Sequence, residues 1–293
     1  MKRMGHWWII GSLVGLLLVG KLGLHAQSSQ LPIISSQHQH TRGQSVVPLY
    51  RGWYRGKDMQ IYLTFEYLNR NSDERLEIPI GPNNFVAPGL ADQGQPTQFL
   101  PGHQHGVFVV LLPRGLTTEV TWTLSSRGET FTMPANLGPL YEIEGLIQRG
   151  GSFPGNTPPL VQFEANGYAG QGPYGLTTEI DTTTNSPLSL DVWVSDDGLP
   201  PKPGGNKVIR SLQRSYRRGD ASEEGLTITW SKYRGPGTVS FPDSTPHVER
   251  GKASTSATFS EPGEYMLRGL VSDGSGFDGC CWTNAYVKVK VGL

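Results

Sequence analysis

Two histidine pairs come nearest to chemistry by residue type and spacing. His103 and His105 form an H-x-H within GHQHGVF, and His38 and His40 form another in a stretch rich in Ser and Gln. Alternate residues of a strand project to one side, so His-x-His on a strand offers two imidazoles to one copper or zinc ion. No third ligand can be assigned near either pair. We therefore assign no metal and no cofactor; His103 and His105 stand as candidate ligands, and His38 and His40 read as part of a solvated tail.

Cys280 and Cys281 are the only cysteines and are adjacent. Neighbouring α-carbons lie about 3.8 Å apart, short of the roughly 4.4–6.8 Å usual across a disulfide, so a vicinal bridge is a strained ring. Two free thiols or bonds to another chain are the alternatives; the ring is preferred, as a rigid turn ahead of Trp282. An oxidised pair beside the Trp282 indole is also a flat apolar binding spot, although structural use is the plainer reading.

Arg210, Arg214, Arg217 and Arg218 crowd a charged insertion at 201–225, which ends in Asp220, Glu223 and Glu224. Ile209, Leu212 and Tyr216 have helical spacing, so a short amphipathic turn with a basic outer face suits an acidic polysaccharide or an acidic partner. The plainer reading pairs those charges with the acidic end of the same loop. Asp196, Asp197 and Asp273 are calcium donors in type, yet Asp-Gly is also a common turn. GQGPYG at 170–175 matches G-x-G-x-x-G, but Pro173 and the following TTEIDTTTNSP promise no helix, so a loop is expected. G-x-S-x-G, H-E-x-x-H, Walker and C-x-x-C motifs do not occur, and sequence alone cannot set two carboxylates across a glycosidic bond.

The elements that must carry these residues are strands. Leu226, Ile228 and Trp230 alternate with Thr227 and Thr229, and Thr238-Val239-Ser240-Phe241 resumes the alternation after Arg234-Gly235-Pro236-Gly237, so the two runs read as adjacent strands. Tyr265, Leu267, Gly269 and Val271 share one face and Met266, Arg268 and Leu270 the other. Tyr265, opening its strand, fits a tyrosine corner, with Trp230 and Tyr265 as core anchors. Leu188, Leu190, Val192 and Val194 form a strand opposite. In the first half Ile61, Leu63, Phe65 and Tyr67 alternate with Gln60, Tyr62, Thr64 and Glu66; strands also follow at Leu76 to Ile80, Val107 to Leu112, Val120 to Leu124 and Thr130 to Met133. Trp122 is the core anchor there.

TWSKYRGPGTVSF and ATFSEPGEYMLRGLVSDG, with Asn156-Thr157-Pro158-Pro159 and Val194 to Pro200, resemble the strands and turns of PKD-type (polycystic-kidney-disease repeat) domains. The resemblance covers roughly the last 135 residues and breaks at the 201–225 insertion. It implies an immunoglobulin-like sandwich used for binding or spacing, and brings no catalytic residues. In the first half, residues 80–108 with Gly52-Trp53-Tyr54 and Pro139 to Ile143 resemble stretches of uncharacterised exported bacterial proteins, which implies no activity.

Composition agrees with short strands joined by turns: 36% hydrophobic, with 38 Gly and 22 Pro among 293 residues. Lys2 and Arg3 precede an apolar run from Trp7 to Gly20, too short to span a bilayer, and a small residue at Ala26; we read 1–26 as a signal peptide, an uncleaved anchor being the alternative. Its removal leaves 22 basic against 25 acidic residues, which gives no bulk attraction for nucleic acid.

The expected chain is thus all-β, with two antiparallel immunoglobulin-like β-sandwich domains in tandem: a flexible leader at 27–47, a domain at 48–148, a linker at 149–159 and a PKD-like domain at 160–293. The expected function is non-enzymatic binding or scaffolding, secreted, periplasmic or at the cell surface, holding a polysaccharide or a cell-envelope protein. No nucleic acid and no membrane span after cleavage are expected; the oligomeric state stays open. The alternative is an enzyme or metal-handling accessory with a site in the 80–108 loop. The scaffold reading further expects that loop to be dispensable for folding and the two domains to unfold in separate transitions.

Overall fold

Period-2 alternation of apolar residues carries through the chain as strands, because side chains that alternate across a pleat can cover a core on one face only. The computed structural model describes residues 40–56, 58–112, 115, 119–143, 155–198, 225–275 and 281–293. Among them no helix is long and apolar enough to cross a membrane.

A first lobe contains β1 (Val46–Arg55), β2 (Ile61–Asn69), β3 (Leu76–Glu77), β4 (Asn84–Ala87), β5 (Gln98–Phe99), β6 (Gly102–Leu111), β7 (Thr121–Ser126) and β8 (Glu129–Pro134). Its sheets run β1-β2-β6, β4-β7-β8 and β3-β5. Between them lie Val46, Leu63, Phe65, Val86, Phe99, Phe108, Trp122 and Leu124, all buried. Phe108 meets the Trp122 indole edge-on, with centroids 4.9 Å apart, an arrangement favoured by the ring quadrupoles.

The second lobe contains β9 (Leu160–Gln162), β10 (Gly170–Gln171), β11 (Leu176–Thr183), β12 (Leu188–Ser195), β13 (Thr227–Arg234), β14 (Val239–Ser240), β15 (Lys252–Phe259), β16 (Gly263–Ser272) and β17 (Trp282–Gly292). One sheet runs β10-β9-β12-β15-β14 and the other β11-β17-β16-β13. Ladders between named strands are antiparallel except β11 with β17, which is parallel. Val192, Val194 and Phe259 of one sheet face Ile228, Trp230, Leu267, Val271 and Val287 of the other. The chain is therefore all-β, built as two immunoglobulin-like sandwiches. Tyr265 donates its hydroxyl to Glu261 O at 2.8 Å, closing a tyrosine corner.

Two expectations are corrected. Residues 238–241 do not run beside β13, since β14 pairs with β15 while β13 pairs with β16. The intervening turn changes sheets: Gly235 sits at φ +124° with the Tyr265 ring where a Cβ would stand, and Gly237 at φ +53°. Both conformations suit glycine.

Nor is the long loop dispensable. It contributes β4, β5, Val86 and Phe99 to the core, and Asn84, fully buried, holds it there. Asn84 Nδ2 donates to Ile78 O (2.9 Å) and Pro96 O (2.7 Å), while Oδ1 accepts from Trp122 Nε1 (3.0 Å). Every hydrogen-bonding atom of that amide is engaged, so truncation orphans a buried indole N–H and two buried carbonyls. Asn84→Ala is expected to cost about 3 kcal/mol of stability in denaturant unfolding and to expose the 80–100 segment to limited proteolysis.

Candidate functional site

The β2–β6 ladder is interrupted at Glu66. Phe65 pairs with Phe108 and Tyr67 with Gln104, so Glu66 alone faces His105, Gly106 and Val107. A bulge of this kind bends the strand and takes the extra residues' backbone groups out of the ladder. The Gly106 N–H turns to Glu66 Oε1 at 3.1 Å. Gly106 adopts φ +49°, and a Cβ there would stand 2.0 Å from Trp282 Nε1. Only glycine fits that approach.

The bulge carbonyls point to the second lobe. His105 O accepts from Arg268 Nη2 at 2.7 Å, and Gly106 O accepts from the same nitrogen (3.1 Å) and from Asn284 Nδ2 (2.8 Å). Val107 O accepts from the Tyr286 hydroxyl at 2.7 Å. Arg268 Nε in turn donates to Asn284 Oδ1 at 2.9 Å, so both buried side chains are held by more than one bond. Further along the seam the Tyr233 hydroxyl reaches Gly94 O (2.6 Å), Arg234 forms a two-pronged pair with Asp92 (2.8 Å each), and Lys232 Nζ meets Glu77 at 2.8 Å. Tyr233 and Tyr286 are buried within the first lobe's core cluster. The lobes thus share buried surface.

On the other side of the bulge Glu66 gathers charge. Its Oε2 lies 2.9 Å from His103 Nε2, and its Oε1 lies 3.6 Å from His105 Nδ1 and 3.8 Å from Arg51 Nε. The two imidazoles face each other with centroids 3.8 Å apart. Glu66 is 4% exposed, His105 17% and His103 40%, so the group opens to solvent on the His103 side. Burial pushes the Glu66 carboxyl up, but the bonds to His103 and His105 and the Arg51 charge outweigh it and hold the pKa down to about 2. Each of Glu66, His103 and His105 presents one ligand atom within 4.8 Å of the others, a set with the composition of a metal site.

The structure thus brings His103 and His105 to one point, as their spacing on a strand requires, and adds Glu66. Glu66 has a faint signal, as the single carboxylate on a strand whose other face is the lobe's core. Trp282 is corrected: at 0% exposure, packed on Gly106, it anchors the lobe seam and offers no exposed binding surface. Trp122, Trp230 and Tyr265 are buried in the two cores. Cys281 is buried and disulfide-bonded. Cys280, His38, the 201–224 insertion and with it Arg210, Arg214, Arg217 and Arg218 lie outside the described residues.

In GQGPYG, Gly170 and Gln171 form β10 and residues 172–175 are the turn into β11; the motif's glycines serve close packing, since a Cβ on Gly175 would stand 1.8 Å from Asn284 O, and Pro173 O accepts from Asn284 Nδ2. The aspartates are turn residues. Asp197 accepts from Thr157 N–H and hydroxyl, Asp196 from Gly198 N–H, and Asp273 from Ser275 and Asn156. Burial pushes the Asp273 carboxyl up to about 6 against those bonds.

No family model matches the chain, and no curated protein matches it. Among solved structures it is similar to a protein of unknown function from Porphyromonas gingivalis W83, with 7% identity and TM-score 0.24 over 84% of this chain and 98% of that one. Similar values hold for the D00-D0 domain of intimin: 9% identity, TM-score 0.25, over 84% and 99%. Domains 4-9 of the surface layer protein SbsC give 12% identity and TM-score 0.26 over 86% of this chain and 30% of that one. Likenesses at that level carry no argument about function, which rests here on the chain's own geometry.

Two outcomes follow from the seam and the turns. Because the lobes share buried surface, the protein is expected to unfold in one calorimetric transition, contrary to the independent domains expected from sequence. Gly106→Ala, which drives a methyl group into the Trp282 indole, is expected to lower stability by about 3 kcal/mol or more and to split that transition in two. For Asp273, a raised folded-state pKa means stability fully present below the ordinary value of 3.8 and lost as pH rises through about 6. Urea unfolding should show a loss on the order of 2 kcal/mol between pH 4 and 7 that Asp273→Asn removes.

Proposed function

We propose that this is an exported, non-enzymatic binding or scaffolding protein of the cell envelope, with a PKD-type second lobe, that holds a polysaccharide or an envelope protein on a surface built from both lobes. The observation that carries the reading is the seam. The buried cations of the second lobe are tied to groups of the first, which makes two sandwiches into one rigid platform rather than two beads on a linker. Rigid presentation lowers the ordering cost of binding an extended partner.

Aromatic side chains from both lobes meet at the edge of that platform. Tyr62 of the first lobe lies edge-on to Tyr174 of the second, with centroids 5.4 Å apart, and stacks on Tyr54 at 5.1 Å. Tyr174 is 60% exposed, and the Tyr62 hydroxyl donates to Asp58 at 2.9 Å. Tyrosine faces beside a carboxylate acceptor suit the apolar faces and hydroxyls of a sugar chain. Export is supported by the apolar run behind Lys2 and Arg3 and by the disulfide at Cys281, a bond that persists in oxidising compartments.

The test is a pull-down of the purified protein on insoluble polysaccharides and on envelope fractions with and without protease treatment. Retention on a glycan, reduced at least tenfold by Tyr174→Ala, is expected for the polysaccharide; retention on envelope that protease abolishes is expected for a protein partner. Absence of retention on every fraction, or release of soluble sugar from a glycan, overturns the reading.

A further inference from the structure

We propose that Glu66, His103 and His105 form a binding site for a single divalent first-row transition ion, with zinc as the reference. The site stands independently of the binding role above, since it rests on donor geometry alone.

Ions of this class bind imidazole nitrogen and carboxylate oxygen at about 2.0–2.2 Å, which places neighbouring donors roughly 3 Å or a little more from each other. Glu66 Oε2 and His103 Nε2 are already 2.9 Å apart, and all three ligand atoms fall within 4.8 Å of one another. Loading the site therefore replaces the proton between Glu66 and His103 with the ion and swings His105 by side-chain rotation, without moving a strand.

The carboxylate is fixed from behind. Its Oε1 accepts from Gly106 N–H at 3.1 Å and faces Arg51 Nε at 3.8 Å, which leaves Oε2 on the side of His103. Outer contacts of this kind orient a ligating carboxylate. The guanidinium also offsets part of the carboxylate charge, so affinity in the micromolar range is expected rather than that of a four-ligand structural zinc site.

Two imidazoles and one carboxylate select against calcium and magnesium, which take oxygen donors, and in favour of zinc, copper, nickel or ferrous iron. His103 is 40% exposed, so solvent or a ligand atom of a partner can complete the coordination sphere. A three-ligand site with an open face is suited to holding an exchangeable ion or bridging to a bound partner.

The test uses the chelator-stripped full chain titrated with zinc chloride in competition with a chromophoric chelator, alongside cobalt(II) absorption spectroscopy. One ion per chain is expected, with intense visible bands for cobalt. His103→Ala, at the solvent-facing side of the group, and the His103→Ala, His105→Ala double variant, each with the parent's circular dichroism, are expected to weaken binding at least 100-fold. His38→Ala, His40→Ala is expected to leave it unchanged. Glu66→Gln is expected to bind weakly if its circular dichroism is that of the parent. If it misfolds, the histidine variants alone decide. Absence of saturable binding, or binding that survives the 103/105 double variant, overturns the proposal.

Discussion

A backbone carbonyl buried without a donor costs on the order of 1–3 kcal/mol, and the bulge opposite Glu66 removes three residues' backbone from the regular ladder in one place. This constraint governs the relation of the two lobes. His105 O, Gly106 O and Val107 O have their donors in Arg268, Asn284 and Tyr286, all on the second lobe. The converse holds too. Arg268, 5% exposed, is a buried cation whose charge is met by carbonyl dipoles of the first lobe and by Asn284. Each lobe supplies what the other would otherwise leave unsatisfied.

This exchange explains how β16 and β17 are used on both faces. Leu267, Val271, Val287 and Val289 look into the second lobe's own core, while Met266, Arg268, Trp282, Asn284 and Tyr286 look toward the first lobe. A solvated face would carry such polar residues at no cost. Here they are buried, and each is engaged with named partners, which makes the seam specific: shifting a strand by one residue would turn Arg268 into an apolar core.

The bulge also makes the candidate site. At the bulge the Gly106 N–H leaves the ladder for Glu66 Oε1, and His103 and His105 meet the same carboxylate. Glu66 lies close to the lobe seam, with Arg51 between it and the Trp282 indole, 6.0 Å from that ring. Chemistry at Glu66 and the fit of the lobes are therefore coupled through the same short segment, whose backbone is clasped on one side and whose side chains are displayed on the other.

Alternation alone determined the all-β class, the faces of β2, β13 and β16, and the burial of Trp122, Trp230 and Tyr265, because period 2 is a local property that a single strand expresses by itself. The H-x-H spacing likewise determined that His103 and His105 share a side. Tertiary structure decided the rest. That Glu66 is the third member of their group depends on pairing across 37 residues, and on a bulge whose Gly106 packs against an indole 176 residues away. Trp282 was legible as an aromatic near a cysteine pair, but its burial required the first lobe to be present. The path of residues 238–241 into the opposite sheet, and the anchoring of the long loop by Asn84, were hidden for the same reason: a residue's pattern records which face is apolar, not which distant segment covers it.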